Sequence, residues 1–343
     1  MNDKMKGVIF PGDRKALVKE FPKPEPGPGE VLVKMMAAGL CGSDLHRYRE
    51  PTSLRVGNET IQGHEPSGVV EVLGEGVKNV RVGDRVSVYH YRGCGHCKHC
   101  LAGNIMWCPD RRGYGWHIHG SSADYILTDE RNCLVLPAEL TYAHGALIAC
   151  TAGTAFSAVR RMQVSGERTL VVFGLGPVGL SGLMMAKAMG GRVIGVDPIF
   201  ERRSMALELG ADDIINPLEV EVLSAIRDLT GGEGADLTFE TSGTNAGRQA
   251  AANCLRIEGK GVFVGLGPQS NLFDLREVIV NQLTILGSYV IPIYMYWDLV
   301  DFIIQHELPF EKLVTHRFNI DNGAEALRVF DDSCTGKVLF EWQ

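Results

Sequence analysis

The feature that most constrains the fold is an alternation of short apolar strands with helices of ordinary length, which begins after about residue 150. Buried parallel strands form nearly continuous apolar runs, and each needs a crossover helix to reach the next strand. The pattern therefore predicts an α/β domain with a doubly wound parallel sheet. The predicted strands are 169–173, 192–196, 213–215, 236–240, 261–265 and 284–287. The predicted helices are 177–189, 201–209, 220–229 and 246–257.

The first half of the chain has a different pattern, in which short β-branched runs are separated by Gly and Pro. Examples are the runs at 30–34, 68–73 and 84–89. This pattern predicts a mostly β domain. A last helix near 297–305 and a strand at 337–341 are expected to return to that domain, and 343 residues are enough for two domains.

A glycine pattern directly follows the first strand of the α/β half and opens a helix. Its residues are Gly174, Leu175, Gly176, Pro177, Val178 and Gly179. Gly174 permits a tight turn, Gly176 lets the backbone approach a pyrophosphate, and Gly179 lets the helix pack closely on the strand. The free N–H groups of the helix N-terminus suit phosphate groups. The pattern predicts a dinucleotide site, and the alternative is a tight turn without a ligand.

Asp197 ends the second strand of this half. A carboxylate at this place binds the ribose hydroxyls of NAD and repels the 2′-phosphate of NADP, so NAD is the predicted cofactor. Arg202 and Arg203 follow closely and keep NADP as an alternative, while helix capping is the alternative role of Asp197. The remaining candidates for the cofactor site are Arg202, Leu266 and Ser288.

Four of the nine cysteines lie within fifteen residues. They are Cys94, Cys97, Cys100 and Cys108. Four thiolates complete a tetrahedral zinc shell without a position for water, so this spacing predicts a structural zinc site that ties down a loop. The odd number of cysteines and the lack of a signal-like apolar start favour metal over disulfides, and predict a cytoplasmic protein. The alternative is four reduced cysteines without metal.

Charge and hydropathy exclude two classes of partner. The formal net charge is -7 without a run of Lys and Arg, which argues against nucleic-acid binding, including that of a zinc-ribbon protein. The uncharged run 169–186 approaches the length of a membrane span, but Gly and Pro interrupt it. A strand, a turn and a buried helix explain this run better, so no membrane span is predicted.

Cys41, His64 and Cys150 form a second, scattered set. Two thiolates and one imidazole would leave a fourth zinc position for water or substrate. Taken alone, however, each cysteine is also typical of a small core residue, and a lone histidine of a satisfied polar group. Their spacing by itself does not unite them.

Together these segments closely resemble the zinc-containing medium-chain dehydrogenase/reductase family, which includes alcohol, sorbitol and threonine dehydrogenases. The likeness covers essentially the whole chain and includes residues 39–46, 63–65 and 80–86, the cysteine lobe and the nucleotide fold. It implies a GroES-like, mostly β catalytic domain from residues 1–151 and 288–343, with a structural zinc lobe at about 90–115. It also implies a Rossmann NAD-binding domain at 152–287. The linker 145–159 and the tail 313–318 look most like a threonine-dehydrogenase-like branch.

The resemblance implies a role for each residue of the scattered set and its neighbours. Cys41, His64 and Cys150 match the catalytic zinc ligands, which makes two zinc ions per chain. Glu65 matches a carboxylate beside the zinc, and Asp44 matches the partner that orients the histidine ligand. Cys150 is a departure from threonine and sorbitol dehydrogenases, which commonly have Glu there, whereas alcohol dehydrogenases have Cys.

Ser43 and His46 match the family's proton relay, in which the serine accepts the hydroxyl proton and passes it by way of the cofactor ribose to the histidine and solvent. A loop hydroxyl and an exposed imidazole are the alternatives for these two residues.

The chain is therefore predicted to be a zinc-dependent, NAD-linked oxidoreductase acting on the CH–OH group of a secondary alcohol, polyol or amino alcohol. Its expected partners are a small-molecule substrate and further copies of itself in a dimer or tetramer. Threonine 3-dehydrogenase-like and sorbitol dehydrogenase-like activities are alternatives. A zinc-free quinone or enone reductase is disfavoured by the two zinc sets, and a catalytically silent nucleotide-binding protein by the intact set of Ser43 and the three ligands.

Overall fold

The structure is a computed structural model that describes residues 3–55, 59–268, 274–332 and 334–343. The chain divides into two compact units. The first unit comprises Met1–Gly153, Pro292–Gln305 and Pro309–Gln343, and the second comprises Thr154–Ile291 and His306–Leu308. Both ends of the chain thus belong to the first unit.

The helices and strands are numbered in chain order. The strands are β1 Lys4–Gly12, β2 Lys15–Pro22, β3 Glu30–Gly39, β4 Glu65–Leu73, β5 Arg85–Val88, β6 Tyr91–Arg92, β7 Arg112–Gly113, β8 Tyr125–Asp129, β9 Cys133–Val135, β10 Thr169–Phe173, β11 Arg192–Val196, β12 Asp213–Ile215, β13 Ala235–Glu240, β14 Leu255–Phe263, β15 Thr284–Gly287, β16 Val314–Phe318 and β17 Lys337–Glu341. The helices are α1 Asp44–Arg49, α2 Lys98–Leu101, α3 Tyr142–Ala149, α4 Thr151–Met162, α5 Pro177–Ala188, α6 Phe200–Glu208, α7 Val222–Leu229, α8 Asn245–Asn253, α9 Leu275–Val280, α10 Tyr296–Gln305 and α11 Gly323–Asp331.

A seven-stranded sheet forms the core of the first unit. Its order is β16-β17-β3-β4-β5-β9, and β8 also pairs with β3. Strands β3 and β4 are antiparallel, with Gly39 opposite Glu65. Because apolar side chains of β3, including Val31 and Val33, are fully buried, a slip of this register would expose the core. The register brings the end of β3 beside the start of β4, where the candidate ligands lie.

The second unit contains a six-stranded parallel sheet in the order β12-β11-β10-β13-β14-β15. Helices α5, α6, α7, α8 and α9 lie between successive strands along the chain. The chain begins at the centre of the sheet, extends to one edge and then fills the other side, which is the doubly wound arrangement. The predicted Rossmann sheet and the predicted α/β class with a mostly β domain are confirmed.

The predicted helix 246–257 is wrong in its last part. Helix α8 ends at Asn253, and β14 begins at Leu255, so residues 255–257 belong to a strand. The run of alanines before this point favours a helix, but Leu255 pairs with Ala235 of β13 and thereby joins the sheet. Pairing across the sheet therefore overrides the local preference. The expected linker 145–159 also differs, because most of it lies in helices α3 and α4.

The uncharged run 169–186 is divided as expected between strand β10, a glycine loop and helix α5. Among the residues that the structure describes, no helix is long and apolar enough to cross a membrane.

Candidate active site and cofactor site

Four side chains of the first unit converge at the ends of β3, β4 and α3. One potential ligand atom each from Cys41, His64, Glu65 and Cys150 lies within 4.8 Å of the other three. Cys41 is partly buried and the other three are buried. Residues that no spacing rule could unite therefore form one compact donor set.

Backbone geometry explains this convergence. Cys41 follows β3, and His64 immediately precedes β4, so the strand register places the two side by side. Cys150 is the C-terminal cap of α3. This helix packs against the sheet, and a Cβ atom at Gly145 would overlap the side chain of Ser67 on β4. The small residue thus lets α3 approach the sheet closely enough to bring Cys150 to the site.

Asp44 connects two members of the donor set. Its Oδ2 accepts a hydrogen bond from the N–H of Cys41 at 2.9 Å, and its Oδ1 lies 3.1 Å from Nδ1 of His64. Burial opposes the charged imidazole, but the charges of Asp44 and Cys41 outweigh it and raise the pKa of His64. The contact at Nδ1 leaves Nε2 of His64 available as a ligand atom. Ser43 Oγ lies 3.5 Å from this Nε2.

The two cysteines of the set are joined by a hydrogen bond. The hydrogen bond between them lowers the pKa of Cys41 well below its usual range and raises the pKa of Cys150. Since thiolates are the sulfur ligands of zinc, Cys41 is the group already suited to bind a cation. Together with the imidazole of His64, the two cysteines make a donor set of the type found at zinc sites with an open position.

Glu65 is engaged by a buried lysine that sequence reasoning missed. Nζ of Lys337, on β17, donates to both carboxylate oxygens of Glu65 at 2.8 and 2.7 Å and to the carbonyl of Leu40 at 2.9 Å. Thr151 Oγ1 also donates to Glu65 at 2.9 Å. Burial raises the pKa of Glu65 to about 7, although the charge of Lys337 acts in the opposite direction. The two hydrogen bonds from Lys337 orient the carboxylate of Glu65 toward the lysine.

Two further aromatic rings lie close to His64. The ring of Trp116 lies 4.5 Å from that of His64, and the ring of His90 lies 6.0 Å away, measured between centroids. Burial lowers the pKa of His90 to about 4, so it is neutral and its Nδ1–H donates to the carbonyl of Ala149 at 2.6 Å. His46 is exposed on α1. No sequence signal distinguished His90 from a core histidine.

The four clustered cysteines also converge, with their sulfur atoms within 4.8 Å of one another. Cys97 caps α2, and its Sγ accepts from the N–H of Cys100 at 3.5 Å. Cys108 Sγ accepts from the N–H of Cys94 at 3.4 Å. Hydrogen bonds from the backbone of His96 and Cys97 lower the pKa of Cys94 to about 6. Hydrogen bonds from backbone N–H groups favour the thiolate over the thiol, so the chemistry of this set fits a closed zinc shell.

The glycine loop of the second unit has the geometry that a pyrophosphate requires. Gly174 has a φ of +88°, which favours glycine, and a Cβ atom at Gly179 would overlap the carbonyl of Gly174. Gly176 caps α5, and Pro177 and Val178 begin this helix. A Cβ atom at Gly176 would meet nothing closer than an atom of Arg202 at 4.0 Å, so the backbone there is open to a ligand.

The other candidates for the cofactor site follow the carboxyl ends of strands in the same sheet. Asp197 accepts from the N–H groups of Leu175 and Ile199 at 2.7 and 2.8 Å, and Arg202 Nη1 lies 3.8 Å from its carboxylate. Leu266, after β14, is 66% exposed. Ser288, after β15, has a buried Oγ with no hydrogen-bond partner among the described residues. Ligands of doubly wound sheets bind at this edge.

Comparisons with known proteins agree with this geometry. Residues 27–138 match the alcohol dehydrogenase GroES-like domain, and residues 177–305 match the zinc-binding dehydrogenase domain. A zinc-type alcohol dehydrogenase-like protein of Escherichia coli K12 is 34% identical over 98% of this chain and 99% of its own length. The L-threonine 3-dehydrogenase of Pyrococcus horikoshii is 33% identical over 99% of both chains.

A solved structure of an Escherichia coli CFT073 alcohol dehydrogenase, complexed with NADH, has a TM-score of 0.90 at 27% identity and covers 99% of this chain and 100% of its own. The fold, the donor sets and these matches together define an oxidoreductase of the alcohol dehydrogenase type. The chain belongs to the zinc-containing medium-chain dehydrogenase/reductase family, as the resemblance predicted.

The buried pair predicts a large effect of Lys337→Met on stability. This variant leaves Glu65 buried without its cation, and we expect the free energy of unfolding to fall by about 3–5 kcal/mol. Adding Glu65→Gln removes the isolated charge, so the double variant should be more stable than Lys337→Met. Urea unfolding followed by circular dichroism measures both differences.

The matched control is Lys187→Met, which removes a partly exposed pair with Asp212 and should lower the stability by no more than about 1 kcal/mol. Equal losses for Lys337→Met and Lys187→Met would contradict the structural importance of the buried pair.

Proposed function

We propose that the chain is a zinc-dependent, NAD-linked dehydrogenase that oxidises the CH–OH group of a secondary alcohol, polyol or amino alcohol, or reduces the corresponding carbonyl. The observation that carries this proposal is the donor set of Cys41, His64 and Cys150, with Glu65 held by Lys337. Three donors without a fourth protein ligand are typical of a catalytic zinc site rather than a structural one.

In this reaction the residues of the chain orient the reactants and move the proton. Cys41, His64 and Cys150 would hold a zinc ion that would supply Lewis acidity toward the substrate oxygen, and bound NAD would supply the hydride acceptor. Asp44 fixes the ring orientation of His64. Ser43, whose Oγ lies beside His64, accepts the hydroxyl proton, and His46 exchanges it with solvent from its exposed position on α1.

The four clustered cysteines hold a second zinc ion that stabilises their loop. Support comes from the mutual proximity of the sulfur atoms and from the backbone N–H groups that donate hydrogen bonds to them. A set of four thiolates has no open position, so this ion has a structural role.

NAD is preferred over NADP because Asp197 follows β11 beside the glycine loop. Each carboxylate oxygen already accepts one backbone N–H but retains a second acceptor position for a ribose hydroxyl. The same negative charge repels a 2′-phosphate. Arg202, 3.8 Å from this carboxylate, contributes to the same cofactor site.

The protein forms a homo-oligomer in the cytoplasm. Strand β15 lies at one edge of its sheet, and Leu275, Ile279 and Val280 of the preceding helix α9 are each more than 60% exposed. A second copy of the chain would cover such an edge and its apolar neighbours. All nine cysteines are free of disulfides, which suits a reducing compartment.

A threonine 3-dehydrogenase-type activity is the second candidate. The relative from Pyrococcus horikoshii carries this name and is similar over nearly the whole chain. Cys150 argues against this candidate, because threonine dehydrogenases commonly have Glu at the matching position.

The proposed reaction predicts NADH formation from at least one member of a panel of secondary alcohols, polyols, inositols and hydroxy-amino acids. His64→Ala should reduce the rate to background because it removes a zinc ligand, whereas the exposed His306→Ala should not. Absorbance of NADH measures the rate. A zinc-loaded wild-type protein that is inactive on the whole panel would favour a silent nucleotide-binding protein.

The two donor sets predict two zinc ions per chain. Elemental analysis should find one zinc in Cys97→Ser and one in His64→Ala, but two in the control Cys334→Ser, which removes an exposed cysteine outside both sets. Cys97→Ser should also unfold at a lower temperature, since the structural ion stabilises the fold. Two zinc ions in Cys97→Ser would remove the cysteine cluster as a metal site.

The position of Asp197 predicts that Asp197→Asn raises the KM for NAD about tenfold more than the KM for NADP, the size of a lost charged hydrogen bond. The matched control is Asp236→Asn. The carboxylate of Asp236 also accepts a hydrogen bond from a backbone N–H, but at the amino ends of the strands, away from the glycine loop. Steady-state kinetics with both cofactors give the ratio, and an unchanged ratio in Asp197→Asn would exclude this role.

A further inference from the structure

An arginine near the candidate active site has no ionic partner among the described residues. Arg47 belongs to α1, the short helix that also carries Asp44 and His46. Its guanidinium carbon lies 5.8 Å from the ring centre of Trp116, whose ring is 4.5 Å from that of His64. This cation and a candidate zinc ligand are therefore close to the same aromatic ring within the first unit.

The guanidinium group is held in place but not neutralised. Arg47 Nη1 donates to the carbonyl of Gly115 at 2.8 Å, which attaches it to the loop of Trp116. In the described parts of the chain, no carboxylate lies within ion-pair distance of Arg47. Its neighbour Arg49 differs, since its Nε lies 2.6 Å from Asp331. Arg47 thus keeps N–H donors that no carboxylate of the described residues occupies.

The surroundings of Arg47 favour an anion. Burial lowers the pKa of Arg47 and the positive charge of Arg55 lowers it further, whereas the carboxylates of Glu50 and Asp44 act in the opposite direction without outweighing these two effects. Arg55 is 5% exposed, and its Nη2 is buried with no hydrogen-bond partner among the described residues. The carboxylate of Glu50 is 3.7 Å from Arg55 and is 40% exposed. Arg47 has no ion pair among the described residues, and Arg55 keeps an unpaired buried Nη2 in spite of Glu50, so a bound anion would stabilise both guanidinium groups.

We propose that Arg47 binds an anionic group of the substrate, so that the substrate is an alcohol carrying a carboxylate or a phosphate a few bonds from the reacting hydroxyl. This inference rests on the proposed dehydrogenase function and names its substrate class. The planar guanidinium matches both anions through paired N–H donors. The ring of Trp116 is close to both Arg47 and His64, and it would pack against the carbon chain that joins the two groups of the substrate.

The overall charge of the protein makes this site distinguishable from general anion attraction. The formal net charge is -7, so the average field repels anions. Saturable anion binding therefore requires a local cationic site. Arg47 and Arg49 lie on the same helix, and removal of either changes the net charge equally, so Arg49→Gln is a matched control for Arg47→Gln.

The first experiment measures anion binding without catalysis. Isothermal titration calorimetry is performed with inorganic phosphate and, separately, with propionate on the zinc-loaded wild type, Arg47→Gln and Arg49→Gln. We expect one of the two anions to bind the wild type saturably, with an affinity at least tenfold lower in Arg47→Gln and unchanged in Arg49→Gln. Gln removes the charge but keeps a polar side chain, and thermal melting verifies that the variant is folded.

Arg47→Lys provides a second variant, since it keeps the charge but loses the paired donors and should bind the anion several-fold less tightly. Failure of both anions to bind the wild type, or equal binding by the wild type and the two Arg47 variants, would overturn the proposal. The anion that binds distinguishes a carboxylate from a phosphate substrate.

The second experiment compares charged and neutral alcohols of matched carbon skeleton. The pairs are 3-hydroxybutyrate with 1,3-butanediol, and glycerol 3-phosphate with glycerol. We expect kcat/KM of the wild type to favour the charged member of one pair at least tenfold, and this ratio to approach one in Arg47→Gln but not in Arg49→Gln. A wild type that prefers the neutral members refutes the anionic substrate. Inactivity on all four compounds together with Arg47-dependent anion binding would count against the dehydrogenase reaction and not against the anion site.

Discussion

The buried ion pair between Glu65 and Lys337 connects the last strand of the chain to the candidate active site. The two residues are 272 positions apart, and neither side chain is more than 1% exposed. A charge in such surroundings is strongly unfavourable without its partner, so β4 and β17 must both be in place before either charge is compensated. The carbonyl of Leu40 and the hydroxyl of Thr151 satisfy further donors and acceptors of the pair. These two residues are the neighbours of Cys41 and Cys150, so the same network positions both cysteines.

The two donor sets of the first unit differ in how they are built. The cysteine cluster is local, because its members lie within fifteen residues and use one another's backbone N–H groups. The set of Cys41, His64 and Cys150 instead depends on strand register and on the packing of α3 against the sheet. A local set ties down its own loop, whereas a dispersed set with one uncommitted position suits catalysis. The difference in construction agrees with the difference in proposed role.

Reaction class and substrate choice rest on different parts of the molecule. The donor set and the glycine loop support hydride exchange between an alcohol and a nicotinamide, and the family comparisons agree with this class. Substrate choice depends on the side chains around the donor set, which differ among proteins of one fold. Trp116, His90 and Arg47 are such side chains here, and they supply an aromatic face, a neutral imidazole and a cation.

The sequence by itself determined the elements whose signal is local. Strands β10, β11, β12, β15 and β17 have the predicted bounds, because their apolar runs are delimited by glycines, prolines and charged residues. The glycine loop and the cysteine spacing were equally readable, since turn geometry and ligand spacing are properties of short segments. The scattered ligands were assigned through family resemblance, and no local rule united them.

Only the tertiary structure decided the features that depend on distant segments. Leu255 joins a strand because β13 offers it a pairing partner, although the preceding alanines favour a helix. Nothing in the sequence around Lys337 indicates that its amine forms a buried ion pair with Glu65. The sequence gives no sign that Arg47, on a short helix, and His64 are both close to the ring of Trp116. Burial, register and charge compensation are properties of the folded chain, and sequence neighbours carry little information about them.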